Sequence, residues 1–151
     1  GEHVLVVHST DGLDEISVAA ETWVAELKDG DITEYTVKPE DFGITRGDLK
    51  DLKVADAKES LEMIKQALSK SSKSKSGKPK SGQSKNINSQ AICSASDMVA
   101  LNAGAALYAA GIAGDLSEGV ILAQDAIGSG LAKAKISDLA AFTQCFEKSK
   151  A

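Results

Sequence analysis

The sequence predicts an α/β fold in which strands and a hairpin come first and packed helices follow. Three observations carry that prediction. The run His3–Val7 (HVLVV) is continuously apolar and rich in β-branched residues, the pattern of a strand covered on both faces, as in a parallel sheet. Two β-prone segments within Thr22–Pro39 flank Asp29-Gly30, a strong hairpin-turn signal. Beyond Pro39 the apolar period changes from 2 to 3.6, and the rest of the patterned sequence is helical. With 151 residues the chain is long enough for one core, and with only 4% aromatics that core must come from Ala, Val, Leu and Ile. Such a core implies closely packed helices.

The elements follow in order. After His3–Val7, the segment Ile16–Ala20 (ISVAA) reads as a short second strand. Pro39 ends the second arm of the hairpin because it cannot donate to a ladder. Pro39–Lys50 reads as a loop with two glycines. A helix follows whose buried face is Ala57, Leu61, Ile64 and Leu68, opened by Asp56 with Glu59 as a variant capping box. Asp97–Gly111 is apolar nearly all round and reads as a buried helix, capped by Asp97 and ended by Gly111, with Gly104 letting a neighbour approach closely. Asp115–Gly130 repeats the logic: Asp115 and Glu118 start it, Leu116, Val120, Ala123 and Ile127 form its stripe, and Gly130 ends it. A last helix over about Ala132–Phe146 carries Ile136, Leu139, Phe142 and Phe146. Asn102, inside the apolar helix, needs hydrogen-bond partners and is expected to brace a loop.

Ser69–Asn86 differs from everything around it. It holds seven Ser and six Lys, with no acid and no large apolar residue, so it cannot offset its ordering entropy. The domain is therefore expected to run as strands, hairpin and first helix (1–68), a flexible Ser/Lys-rich insert (69–96) and a helical remainder (97–151). Without those six lysines the net charge falls from −5 to −11, so a basic tether sits on an acidic body. The tether lacks aromatics to stack bases and lacks an amphipathic period for a membrane surface, and reads as a solvated spacer. Net negative charge argues against nucleic acid as a partner. No apolar run approaches the ~20 residues of a membrane span, and no signal peptide opens the chain. Cys93 and Cys145 lie far apart, match no metal or redox spacing, and read as free thiols in a reducing, cytoplasmic compartment. The chain begins almost inside a strand, where natural chains seldom start, and is expected to be a piece of a longer one.

The chemistry-bearing stretch is Asp11-Gly12-Leu13-Asp14-Glu15, directly after the first strand. Ligands of open α/β sheets bind beyond the carboxyl ends of strands. Carboxylates there suit Mg2+, which takes one or two of them, several waters and substrate phosphates. Asp14 and Glu15 are the candidate metal ligands, and Gly12 would let the backbone approach a bulky anion. The same spacing suits a polar turn whose acids cap the next element. His8 could be a metal ligand, a phosphate contact, a general base or a hydrogen-bonded structural residue. No nucleophile elbow, Walker loop, zinc-binding His pair or dinucleotide fingerprint occurs.

The stretches HVLVVHSTDGLDEIS, PEDFGI and LNAGAALYAAGIAGDLSEGVILAQDAIGSGLA together resemble the C-terminal part of anthranilate phosphoribosyltransferases. The resemblance covers nearly the whole chain except Ser69–Ser96. It implies the C-terminal portion of a nucleoside phosphorylase-type α/β domain, and transfer of a phosphoribosyl group from phosphoribosyl pyrophosphate to anthranilate in tryptophan biosynthesis. It implies that Asp14 and Glu15 hold Mg2+ complexed to the diphosphate, with His8, Asp11 and Gly12 as substrate-binding candidates. The family's glycine-rich diphosphate loop, its Lys-His-Gly-Asn segment, its anthranilate-contacting arginine and its dimerising helical domain belong to the N-terminal portion. None is matched here, and Arg46, the only arginine, lies in another context. The chain alone is therefore expected to be inactive. Its first strand would lie mid-sheet in the parent, so a complementary N-terminal polypeptide or the parent's homodimer is expected as partner. Two other readings are a nucleic-acid-binding relative of the same fold, motivated by the lysines, and a pyrimidine-nucleoside phosphorylase, which would use phosphate in place of a metal-bound diphosphate.

Overall fold

The structure, a computed structural model, describes residues 2–69 and 89–147. Three strands, β1 (His3–Ser9), β2 (Thr22–Lys28) and β3 (Asp31–Val37), form one antiparallel sheet in the order β1-β2-β3. Four helices follow: α1 (Ala57–Ala67), α2 (Ser89–Ala109), α3 (Leu116–Ser129) and α4 (Leu131–Glu147). Short 3-10 turns at Pro39–Phe42 and Leu49–Leu52 join the two parts.

The hairpin closes at the expected turn. Asp29 and Gly30 both have positive φ, 55° and 91°, the conformation of a type I′ turn whose twist matches the strands. Lys28 pairs with Asp31 and Thr22 with Val37. The expected parallel environment of the first strand is corrected: β1 pairs antiparallel with β2, His3 opposite Lys28 and Ser9 opposite Thr22. Its burial alternates, so the run is apolar on both faces while the described residues cover only one. Ile16–Ala20 is corrected too. Ile16, Ser17 and Val18 are buried, but their backbone is held by the Asn102 and Thr22 side chains and the Gly47 amide, and belongs to no strand.

Leu5, Val7, Val24, Tyr35 and Val37 of the inner sheet face pack on Ile16, Val18, Ile44, Leu101, Ala105 and Val120. The helices come close because two glycines face each other. A Cβ on Gly104 would lie 2.6 Å from the Val120 amide nitrogen, and one on Gly119 would strike the Gly104 carbonyl.

Local helix signals hold. Asp56 accepts from the Glu59 amide at 2.8 Å and Glu59 reaches back to the Ala55 amide at 2.7 Å. Asp115 and Glu118 repeat this with the Glu118 and Gly114 amides at 2.8 and 2.6 Å. Gly111 ends α2 in a Schellman arrangement: its amide bonds to the Tyr108 carbonyl and that of Ile112 to the Leu107 carbonyl. Replacing Asp115 by Ala leaves the Glu118 amide without its partner. It should cost about 1 kcal/mol in urea-melt stability, and Asp115→Asn much less.

Non-local expectations fare less well. Asp97 does not cap: α2 opens at Ser89, inside the segment assigned to the insert, and burial pushes the Asp97 carboxyl up. The rest of the expected flexible segment, 70–88, lies outside the described residues. The α1 face is rotated. Met63 and Ala67 are buried against Ala95 of α2 and the Leu52 turn, and Leu68 against Ala100, Ala123 and Ile127, while Leu61 and Ile64 are 46% and 42% exposed and have no covering layer among the described residues. In α4, Ile136, Leu139, Phe142 and Phe146 are all exposed. Cys93 and Cys145 are both exposed and are not joined to each other, and among the described residues no helix is long and apolar enough to cross a membrane.

One buried polar network had no local signal. The Glu26 carboxylate accepts from Tyr108 (2.6 Å), from Tyr35 (2.8 Å) and from the His3 ring (2.8 Å), tying all three strands to α2. Burial pushes this carboxyl up, but the hydroxyls of Tyr108 and Tyr35 and the His3 ring outweigh it and hold the group below its ordinary value. Burial and the neighbouring Glu26 push the Tyr35 hydroxyl up. A carboxyl held low contributes stability above its unfolded value, near 4.5, and loses it as pH falls through the lower folded value. The urea midpoint should therefore drop on acidification below about pH 4.5, and Glu26→Gln should flatten that drop while lowering stability at neutral pH.

Candidate metal-binding site at the end of the first strand

The β1–β2 ladder ends at Ser9 and Thr22, both fully buried. The chain then turns sharply. The Ser9 amide bonds to the Leu13 carbonyl at 2.9 Å and the Gly12 amide to the Ser9 carbonyl at 3.0 Å. Gly12 has φ 92°, which L side chains rarely adopt, and nothing lies within 4 Å of where its Cβ would be. Glycine is thus required by the turn itself and leaves open space beside it.

Asp11 holds this turn. One carboxylate oxygen accepts from the Ser17 hydroxyl at 2.6 Å and the other from the Leu13 amide at 3.4 Å. Burial acts to raise its carboxyl, and the hydroxyls of Ser17 and Ser9 with the Leu13 amide bring it below the usual range. The Ser17 amide in turn donates to the Thr22 hydroxyl at 3.1 Å, so Asp11 is tied through Ser17 to the start of β2. The Ser17 partnership had no spacing signal in the sequence.

Asp14 and Glu15 are exposed and, among the described residues, make no side-chain hydrogen bond or ion pair. The residues on either side are fixed. Leu13 is held by Ser9 and Asp11, and Ile16 by Asn102 of α2, whose amide oxygen accepts from the Ile16 N–H and whose amide nitrogen donates to the Ile16 C=O, both at 2.9 Å. The expected bracing role of Asn102 is met. Glu15 lines a groove of about 520 Å3 between this loop, Leu49–Leu52 and α2, with Lys53 also on its wall.

His8 sits elsewhere. It projects onto the outer sheet face, its ring 5.8 Å from that of Trp23, over a depression of about 470 Å3. Among the described residues no three His, Cys, Asp or Glu side chains converge as a complete cation cage. The candidate donors are thus Asp14 and Glu15, two hard carboxylates with free oxygens. That fits Mg2+, which takes one or two carboxylates and fills its shell with water and phosphate, and does not fit a structural zinc.

A family model described as "glycosyl transferase family, a/b domain" matches residues 1–133. The anthranilate phosphoribosyltransferase of Marinomonas sp. (strain MWYL1) is 54% identical over 145 residues, covering 96% of this chain and 37% of the relative. That of Hahella chejuensis (strain KCTC 2396) is 54% identical over 146 residues, covering 97% and 38%. The solved anthranilate phosphoribosyltransferase of Thermus thermophilus superposes with a TM-score of 0.71 at 31% identity, over 94% of this chain and 36% of that one. The Saccharomyces cerevisiae enzyme in complex with PRPP and Mg superposes at 0.65 with 22% identity, over 88% and 33%, and shares the fold. This chain thus spans about 37% of the length of the relatives it matches. Its match over residues 1–133 shows that it belongs to the glycosyl transferase family, a/b domain.

Proposed function

We propose that this chain is the C-terminal, metal-binding part of an anthranilate phosphoribosyltransferase. The whole enzyme transfers a 5-phosphoribosyl group from phosphoribosyl pyrophosphate to the amino group of anthranilate and releases pyrophosphate, as a cytoplasmic step of tryptophan biosynthesis. The observation that carries the reading is the pair Asp14 and Glu15, with unpartnered carboxylates on a fixed backbone beyond the end of β1. Relatives of that name, more than half identical over nearly the whole chain, support the choice of substrates.

In this reading Asp14 and Glu15 hold Mg2+. When bound, the metal neutralises charge that builds on the departing pyrophosphate. Asp11 shapes the turn that presents the pair, and Gly12 leaves room for a diphosphate. His8, on the outer sheet face, contacts substrate only through groups this chain does not supply.

The partner is a complementary polypeptide carrying the rest of the relatives' length, or the parent's homodimer. Val6, Trp23 and Ile32, 64%, 57% and 71% exposed on the outer sheet face, support such a cover. So does the edge of β1, unpaired among the described residues. The test is to mix this chain with that polypeptide and follow loss of anthranilate fluorescence with phosphoribosyl pyrophosphate. Turnover that needs both polypeptides and Mg2+ is expected. A folded complex without transfer would overturn the proposal.

A further inference from the structure

We propose that Asn102 is a positioning residue for the Asp14–Glu15 pair, setting its affinity for a divalent cation by holding the backbone of Ile16 at both its N–H and its C=O. The inference rests on the reading of Asp14 and Glu15 as metal ligands. It concerns a residue of α2 that lies 86 positions from the backbone it holds.

The geometry fixes the Asn102 amide in one orientation. Its nitrogen donates to two carbonyls, Ile16 at 2.9 Å and Met98 at 3.0 Å, and its oxygen accepts from the Ile16 amide at 2.9 Å. A flipped amide would set its oxygen against those two carbonyls. Asn102 therefore does for Ile16 what a neighbouring strand would do, satisfying donor and acceptor together. The Ile16 side chain is 2% exposed and locked in the core, so the residue next to Glu15 is fixed by its side chain and by both backbone groups.

On the other side, Leu13 is fixed through its amide to Asp11 and through its carbonyl to Ser9. The two acids hang between pinned residues while their own carboxylates stay free. A cation site needs that division, because every oxygen spent on a local amide is lost to the metal, and every loose backbone torsion must be frozen on binding. Without Asn102 the Ile16 N–H and C=O lose their partner, and the loop gains freedom at the point where Glu15 leaves it.

The test uses Mn2+ as a paramagnetic stand-in for Mg2+ and reads broadening of backbone amide resonances in the full chain. Broadening of the chain without substitutions should centre on residues 13–16. Asn102→Ala should raise the Mn2+ concentration at half-broadening by about tenfold, the scale of outer-shell effects on metal affinity. A purely structural Asn102 would lower stability and leave that concentration unchanged in the folded protein, which would overturn positioning while the metal reading stands. No broadening at residues 13–16 in the unsubstituted chain would overturn both. Hydrogen exchange of the unsubstituted chain keeps the proposal exposed if Asn102→Ala does not fold. The Ile16 amide should be protected without any cation, far more than the Asp14 amide. Equal exchange at the two positions would overturn the proposal.

Discussion

Replacing Asp14 by Asn together with Glu15 by Gln should lower Mg2+-dependent turnover of the reassembled enzyme by about 10³-fold or more and leave folding stability nearly unchanged. The two halves of this expectation have separate causes. Both side chains are exposed and, among the described residues, hydrogen-bond to nothing, so the amides that replace them break no internal contact. The turn survives because Asp11, Ser17 and Asn102 hold it, and none of these is altered. What changes is the pair's ability to hold a divalent cation, since neutral amides are far poorer ligands for a hard metal than carboxylates. Raising Mg2+ should recover part of the activity of either single variant and little of the double. Turnover checks the first half and thermal melting the second. A double variant that melted far below the unsubstituted protein would mean that the pair serves the fold.

The second large effect concerns the helices. Gly119→Ala should destabilise the chain by about 3 kcal/mol, and Gly104→Ala by a similar amount. The new methyl group would meet backbone in both cases. From Gly104 it would lie 2.6 and 2.7 Å from the nitrogen and Cα of Val120, and from Gly119 it would strike the Gly104 carbonyl. No flexible side chain can yield there, so α2 and α3 must separate. Separation opens the core around Leu101, Ala105 and Val120 that supports the sheet's inner face. For a chain of this size the melting temperature should fall by roughly 10 °C. Gly128→Ala is the control. It lies in the same helix with nothing within 4 Å, so alanine there should raise stability by about 1 kcal/mol through helix propensity alone.

What the sequence revealed follows from the range of each interaction. The hairpin turn at Asp29-Gly30, the caps at Asp56 and Asp115 and the stops at Gly111 and Gly130 depend on residues within a few positions, and each forms as expected. The stripe of α3 is legible because its partner, α2, is in the chain. The face of α1, the apolar residues of α4 and the outer face of β1 mislead for one reason. Apolar residues at helical or strand spacing signal a buried face, but Leu61, Leu139 and Val6 have no neighbouring layer among the described residues. Asp97 suggests a helix start because capping residues look alike in a cap and in a helix interior.

The place of Asp14 and Glu15 just after the first strand is legible in the sequence, and their proposed role rests on that place and on the resemblance. The clamp around them is legible only in part. Asn102 stands out as a polar residue in an apolar helix, whereas the Ser17–Asp11 bond has no periodic signature. The Glu26 network joins residues 3, 26, 35 and 108, which only the folded chain brings together.

A crystal of the reassembled enzyme grown with Mn2+ and phosphoribosyl pyrophosphate would locate the metal by its anomalous signal. A peak within coordination distance of an Asp14 or Glu15 carboxylate oxygen is expected if this pair holds the metal. A metal held on the diphosphate by other groups, with both carboxylates out of its coordination shell, would contradict it.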